Sequence, residues 1–261
     1  MNVAAFFDMD GTLVPPPSLE KRFLRYLLWR GTIGWKSFAR CAAPLLGETA
    51  HAIRGGEWCG FECVAAQCKA YLAGVPTVVM DAWLGWLARH PVDQIPEALQ
   101  RIDWHARQAH KIFLLSGTLQ PLAAAVARLI PTPVEICATQ LEIENEHYTG
   151  RARGDAMCGP AKARELERLA TEFSLDLERS YAYADSFADR WMLARVGHAA
   201  VVQTAASNSW RLARLARERG WTVMRWGAAA QRSENIKRGD PVFAARRKEP
   251  AAIIGAEVKS R

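Results

Sequence analysis

Asp8 and Asp10 stand two residues apart in FFDMDGTLV (Phe6–Val14), just after an apolar run and just before Gly11. In an extended segment that spacing sends both carboxylates to one side. Such a pair could shape a turn, hold calcium or form the centre of an active site. An EF-hand loop wants glycine at its sixth position and glutamate at its twelfth. Counted from Asp8, the glycine falls at position 4 and position 12 is Leu19, so the calcium loop fails. Further polar groups recur along the chain: Ser116-Gly117-Thr118, Lys162, and Asp185 with Asp189 four residues on. Three carboxylates brought together repel, and a hard divalent cation with oxygen ligands relieves them. Room for water and phosphate around that cation suits Mg²⁺. Ser116, the backbone N–H groups around Gly117, and the Lys162 ammonium suit the oxygens of a phosphoryl group. A carboxylate beside them can attack phosphorus and form an aspartyl-phosphate. A second carboxyl can protonate the leaving oxygen and then activate water.

These residues need elements that bring them together. VAAFF (Val3–Phe7), KIFLLS (Lys111–Ser116), VEICA (Val134–Ala138), SYAYA (Ser180–Ala184) and HAAVVQ (His198–Gln203) read as short buried strands. Helical stretches separate most of them: PEALQRIDWHARQAH, PLAAAVARLI, GPAKARELERLATEF, FADRWMLARVG and NSWRLARLARERG. Prolines near helix starts and glycines at helix ends punctuate the series. Strands alternating with helices predict an α/β fold with a mainly parallel sheet. In such sheets ligands bind beyond the carboxyl ends of the strands, where Asp8, Ser116 and Asp185 would all lie. Two segments break the alternation. Residues 15–91 begin with Pro15-Pro16-Pro17 and hold several helix-like runs, including LEKRFLRYLLWRG, GWKSFARCAAPLL, FECVAAQCKAYLA and VVMDAWLGWLARH. TQLEIENEHYTGRARG (Thr139–Gly154) reads as an antiparallel hairpin turning near Asn145.

The composition fits a globular chain: 261 residues, half of them hydrophobic and 23% charged. No apolar run reaches the roughly 18 residues of a membrane span. The N-terminus shows no secretion signal. The six cysteines, unevenly spaced, read as reduced thiols, and a cytoplasmic location is expected. Cys59, Cys63 and Cys68 lack the partners a zinc site needs and read as buried thiols. None of the six histidines pairs in a catalytic pattern. Net charge is +7, and residues 227–261 carry eight Lys/Arg against four Asp/Glu, which reads as a flexible basic tail. No reader motif accompanies that tail, so specific nucleic-acid binding is not expected. Trp29, Trp35, Trp58, Trp83 and Trp86 all fall in the insert. Core packing explains them best. FLRYLLWRGTIGW, with aromatics beside Arg25 and Arg30, keeps a peripheral lipid contact as the alternative.

Four blocks, DMDGT (Asp8–Thr12), LLSGT (Leu114–Thr118), GPAKA (Gly159–Ala163) and YADSFAD (Tyr183–Asp189), resemble the signatures of the haloacid dehalogenase superfamily of phosphotransferases. They occur in that superfamily's order, and the likeness spans about Asn2 to Trp226. An insert between the first and second blocks resembles the helical-cap branch that includes phosphoserine phosphatases. The resemblance implies a Rossmann-like three-layer sandwich with an inserted helical cap. Residues 1–14 and 92–226 would form the core and 15–91 the cap. It implies Asp8 as nucleophile and Asp10 as general acid/base. It implies Mg²⁺ on Asp8, the Asp10 backbone carbonyl and Asp185, with Asp189 in support. Ser116 and Gly117 would hold the phosphoryl oxygens, and Lys162 would balance their charge. Ala184 stands where the fourth block often has glycine, and Ala188 where some relatives have asparagine. Pro15-Pro16-Pro17 replace acidic substrate-recognition residues of the amino-acid phosphatases. The expected activity is Mg²⁺-dependent hydrolysis of a small phosphorylated metabolite. The alternatives are transfer to another acceptor, a lipid phosphate as substrate, or a non-catalytic binding protein on the same fold. Without the resemblance, Asp8 and Asp10 could shape a turn, Ser116 cap a helix and Lys162 lie solvated on one.

Overall fold

A computed structural model of the chain describes residues 1–34, 68–206 and 209–227. Outside them lie all of GWKSFARCAAPLL but Gly34, most of FECVAAQCKAYLA, Cys41, Cys59, Cys63, Trp35, Trp58, and all of the proposed tail but Gly227. Met1–Trp226 form one compact unit. Among the described residues six parallel strands make the main sheet, in the order β3-β2-β1-β6-β7-β8. They are β1 (Ala4–Phe7), β2 (Lys111–Leu119), β3 (Glu135–Thr139), β6 (Tyr181–Ala184), β7 (His198–Gln203) and β8 (Thr222–Arg225). β4 (Leu141–Glu144) and β5 (His147–Ala152) form the antiparallel hairpin, turning through Asn145 and Glu146, both at positive φ. The helices are α1 (Leu19–Trp29), α2 (Thr77–Arg89), α3 (Pro96–Arg107), α4 (Gln120–Ala127), α5 (Pro160–Glu172), α6 (Arg190–Leu193) and α7 (Trp210–Arg219).

Strand periodicity sorts the core into two faces. Ala5, Phe7, Leu114, Tyr183 and Val202 face α3 and α4 through Ala98, Ile102, Leu122 and Val126. Phe23 and Leu27 of α1, with Met80 and Trp83 of α2, belong to the same apolar cluster. Ala4, Phe6, Phe113, Leu115 and Val201 face α5, α6 and α7 through Leu166, Leu169, Leu193 and Leu212. Both faces are covered, which is why the parallel strands read as apolar runs rather than alternating ones. Stacked ring pairs, Phe6 with Phe113 at 5.2 Å and Phe7 with Tyr183 at 4.6 Å, hold β1 to its two neighbours. Each such pair contributes about 0.5–1.5 kcal/mol beyond burial.

Three differences from the sequence expectations stand out. β8 is an additional edge strand. FADRWMLARVG yields only a short 3₁₀ turn (Phe187–Asp189) and the four-residue α6. Trp83 is buried and stacks on Trp86 at 4.7 Å, so these two pack inward, while Trp29 is 57% exposed. Among the described residues no helix is long and apolar enough to cross a membrane.

The sheet places the site. From β1 the chain moves outward through β2 and β3, then returns to the other side of β1 at β6. That reversal opens a crevice at the carboxyl end of β1, where parallel sheets bind ligands.

Candidate active site

Asp8 follows β1, and its N–H donates to the Tyr183 carbonyl at 2.9 Å, prolonging the pairing with β6. The chain then turns sharply. The N–H groups of Leu13 and Val14 both donate to the Met9 carbonyl, at 2.8 and 2.9 Å, and Gly11 N–H donates to the Val14 carbonyl at 2.8 Å. Gly11 sits at φ +96°, and a Cβ there would lie 2.1 Å from Asp185 Oδ2. Only glycine meets both demands. Thr12 Oγ1 donates to Asp185 Oδ1 at 3.4 Å, tying the turn to the end of β6.

Lys162, in the first turn of α5, is buried among carboxylates. Its Nζ lies 2.5 Å from Asp8 Oδ1 and 2.8 Å from Asp189 Oδ1. Burial opposes its charge, but Asp189 and Asp8 together outweigh burial and raise its pKa above the ordinary lysine value. Asp8, Asp185 and Asp189 are all buried, with one carboxylate oxygen of each within 4.8 Å of the others. The structure therefore gathers three carboxylates, two of which hold the Lys162 ammonium.

Asp10 points elsewhere. Its Oδ1 accepts from the Leu19 N–H at 2.8 Å, at the start of α1. Burial is the largest influence and pushes its carboxyl up to about 7. The Leu19 hydrogen bond opposes that rise, while the charges of Asp8 and Glu20 add to it. Its carboxylate is not in the metal-competent cluster, so the sequence expectation of a metal contact at Asp10 rests on its backbone carbonyl alone.

The phosphate-binding candidates stand at the end of β2. Ser116 pairs with Ala138 and Leu119 with Thr139, so Gly117 and Thr118 form a bulge. Thr139 Oγ1 donates to the Gly117 carbonyl at 2.9 Å and fixes the bulge from β3. Thr118 N–H donates to Ser116 Oγ at 3.2 Å. A cavity of about 430 Å³ joins Asp8, Asp10, Ser116, Gly117, Lys162, Asp185 and Asp189, all seven residues singled out in the sequence.

The insert supplies a second wall, expected from the sequence as a cap but with none of its residues named as part of the site. Glu20 of α1 lines the cavity; its Oε2 lies 2.5 Å from Lys69 Nζ, and its Oε1 accepts from Tyr71 OH at 2.6 Å. The hairpin braces the segment bearing Lys69 and Tyr71. Tyr148 N–H donates to the Val75 carbonyl at 2.9 Å, and Gly74 N–H to the Tyr148 carbonyl at 2.9 Å. An acidic residue in the first turn of the helix after Asp-x-Asp was the one signal that could have marked Glu20. Nothing local marks Lys69.

Proteins of known sequence, and others of known structure, are similar to this chain. Phosphoserine phosphatase SerB1 of Mycobacterium tuberculosis is 29% identical over 232 residues, covering 85% of this chain and 70% of the relative. A probable phosphatase of the same organism is 29% identical over 227 residues, covering 85% and 74%. A crystal structure of a Bordetella pertussis protein with unknown function superposes with TM-score 0.65 at 24% identity, covering 86% of this chain and 98% of that one. A substrate-bound phosphoserine phosphatase superposes with TM-score 0.57 at 15% identity, covering 86% and 93%, a likeness of fold. The haloacid dehalogenase-like hydrolase family model matches residues 5–194, a span that includes every candidate site residue. The chain belongs to the haloacid dehalogenase-like hydrolases.

Proposed function

We propose that the protein is a Mg²⁺-dependent phosphomonoester phosphatase acting on a small phosphorylated metabolite. The observation that carries the proposal is the buried grouping of Asp8, Asp185 and Asp189 around Lys162, opening into the cavity bounded by Ser116 and Gly117. Three buried carboxylates against one ammonium suit a hard divalent cation with oxygen ligands. Asp8, Asp185 and the Asp10 backbone carbonyl would hold it, with Asp189 in support. When bound, Mg²⁺ offsets the charge of the transferring phosphoryl group.

Asp8 is the nucleophile. Its Oδ1 is held by Lys162, which fixes the carboxylate and leaves the other oxygen to attack phosphorus. Ser116 and the backbone around Gly117 orient the phosphoryl oxygens. Asp10 moves the proton. A carboxyl near 7 exists in both protonation states at neutral pH, so it can protonate the leaving oxygen and later take a proton from water. Residues 15–91 act as a cap over residues 1–14 and 92–226, and α1 carries both the Asp10 partner and Glu20 to the site. Closing that wall excludes bulk water from phosphoryl transfer. The relatives named as phosphoserine phosphatases and the presence of Glu20 keep a phosphorylated amino acid among the substrates to be assayed.

Hydrolysis of an aryl phosphate tests the reading. The wild type should turn over with Mg²⁺ and stop in chelator, and Asp8→Asn should lose at least about 10³-fold in kcat. Ordinary turnover by Asp8→Asn would remove the nucleophile assignment, and full activity in chelator would remove the metal. A panel of amino-acid, sugar, nucleotide and lipid phosphates would then separate substrates. Product analysis with added alcohols would separate hydrolysis from transfer.

A further inference from the structure

Thr118 is 2% exposed and lines the cavity, yet its Oγ1 has no hydrogen-bond partner among the described residues. A buried hydroxyl left unpaired costs about 1–3 kcal/mol, and native proteins keep few of them. We propose that the Thr118 hydroxyl is a second side-chain ligand of the phosphoryl group, beside Ser116. The proposal rests on the phosphatase reading for the identity of the ligand.

The bulge explains how two hydroxyls come to serve one site. Ser116 and Thr118 flank Gly117 at the end of β2, where the bulge overrides strand alternation, and both line the cavity. Ser116 Oγ accepts the Thr118 N–H at 3.2 Å, which uses a lone pair and leaves the hydroxyl proton to donate. Gly117 is held by Thr139 through its carbonyl, so the bulge is anchored without using the Thr118 side chain. Thr139 Oγ1 in turn accepts the Met157 N–H at 3.1 Å, joining the bulge to the loop before α5. The position of Thr118 is thus fixed from outside, and its hydroxyl is the group left over.

Counting donors gives the reason for an additional one. A phosphoryl group presents three oxygens, each able to accept more than one hydrogen bond. An ammonium has three N–H donors. Two of those on Lys162 face Asp8 and Asp189. The Thr118 N–H is taken by Ser116. Lys162 and Ser116 therefore bring about one donor each, and the Thr118 hydroxyl brings another from a position already desolvated. Desolvated donors need little reorganisation on binding, which is where they act most strongly on developing charge.

Thr118→Val keeps the shape and replaces the hydroxyl with a methyl; Thr118→Ser keeps the hydroxyl. Two readouts apply, both with Mg²⁺ present: inhibition of aryl-phosphate turnover by inorganic phosphate, and the rise in melting temperature that inorganic phosphate produces. In Thr118→Val the phosphate inhibition constant should rise about tenfold, as expected for one hydrogen bond to a charged group. The phosphate-induced melting shift should shrink, and kcat should fall by a similar factor or more. Thr118→Ser should bring all three back to within about threefold of wild type. Without phosphate, Thr118→Val should melt no lower than wild type, because an unpaired hydroxyl has been removed. Wild-type phosphate inhibition and melting shift in Thr118→Val would overturn the assignment. So would a loss that Thr118→Ser fails to restore, since that marks a packing role. The melting shift needs no turnover. A wild type that binds phosphate but hydrolyses no aryl phosphate would end the phosphatase reading and leave Thr118 to be decided by the shift.

Discussion

Replacing Lys162 with methionine removes the ammonium that Asp8 and Asp189 share while keeping an unbranched side chain of similar length. In the folded protein the Lys162 side chain is 3% exposed, with Asp8 at 2.5 Å and Asp189 at 2.8 Å. Removing one partner of a buried ion pair costs about 3–5 kcal/mol, because the remaining charge is left without compensation. Here two carboxylates lose the same partner, so the upper part of that range applies. For a unit of this size about 1 kcal/mol moves the melting temperature by roughly 2–4 °C, so a fall of about 10 °C or more is expected. Lys162 has a raised pKa when folded, so its contribution is complete below the ordinary lysine value and is lost only at higher pH. The measurement therefore belongs at neutral pH, in chelator, by thermal or urea unfolding. Adding Mg²⁺ should recover more stability in Lys162→Met than in the wild type, since the cation then supplies the positive charge that Asp8 and Asp189 have lost. Turnover of an aryl phosphate should fall by at least about 10²-fold, the scale of losing one preorganised charge at a transition state. A variant within about 1 kcal/mol of wild type in chelator would show that the carboxylates do not depend on Lys162, and the electrostatic account of the site would fail.

Gly11→Ala should weaken Mg²⁺ at least about tenfold in a Mg²⁺ titration of activity or melting temperature. Its Cβ would lie 2.1 Å from Asp185 Oδ2 at φ +96°, so either the turn or Asp185, a ligand in the proposed reading, must shift. His105 should give a pH dependence unrelated to catalysis. It is fully buried, its Nε2 lies 2.9 Å from Tyr183 OH, and burial, then His110 and Arg101, push its pKa from 6.5 to about 3. A depressed folded pKa contributes stability above the unfolded value that is lost as pH falls. By pH 5 the loss reaches about 2 kcal/mol, one and a half pKa units below the unfolded value. Urea unfolding of wild type and His105→Gln at pH 7.5 and pH 5 should show that gap closing by about this amount in the variant; an unchanged gap would refute the assignment.

The parts of the site that sequence made legible are those whose position follows from strand ends. β1, β2 and β6 are buried on both faces, so each reads as an apolar run, and the polar residue that ends each run lands in the crevice. Lys162 became legible only through its place in the third block, because the sequence around it looks like any helix start. β8 was not legible for the opposite reason. Thr222–Arg225 is an edge strand with three of its four residues exposed, and it carries no run to recognise. Glu20, Lys69 and Tyr71 were missed because their pairing spans about fifty residues of insert. No local pattern encodes where the chain returns. Pro15-Pro16-Pro17 drew attention to an acidic residue lacking at those positions, whereas Glu20 reaches the cavity from the first turn of α1. Thr118 was quoted in a motif but given no role. Its unpaired hydroxyl is a consequence of the bulge, and a bulge is set by pairing with β3 rather than by the residues within it.

The same geometry sets a condition on binding that no single residue states. Asp8 and Asp189 share Lys162, and Asp185 offers an oxygen within 4.8 Å of theirs, so ionised carboxylates here would outnumber the ammonium. A phosphoryl dianion brought to it would be repelled by the carboxylate of Asp8, the nucleophile of the proposed reading. Ser116, the Gly117 backbone and Thr118 can donate hydrogen bonds, but dipoles at the end of β2 do not cancel a net charge. Lys162 cannot serve phosphate alone either, since two of its three donors face aspartates. On the proposed reading, binding of the dianion would therefore be coupled to binding of a cation by the same carboxylates. Linkage makes the coupling mutual: whatever the cation does for phosphate affinity, phosphate does equally for the cation. An excess of carboxylates would then make the proposed site selective for the pair, whereas an arrangement with balanced charge would bind either partner separately and gain less from their meeting.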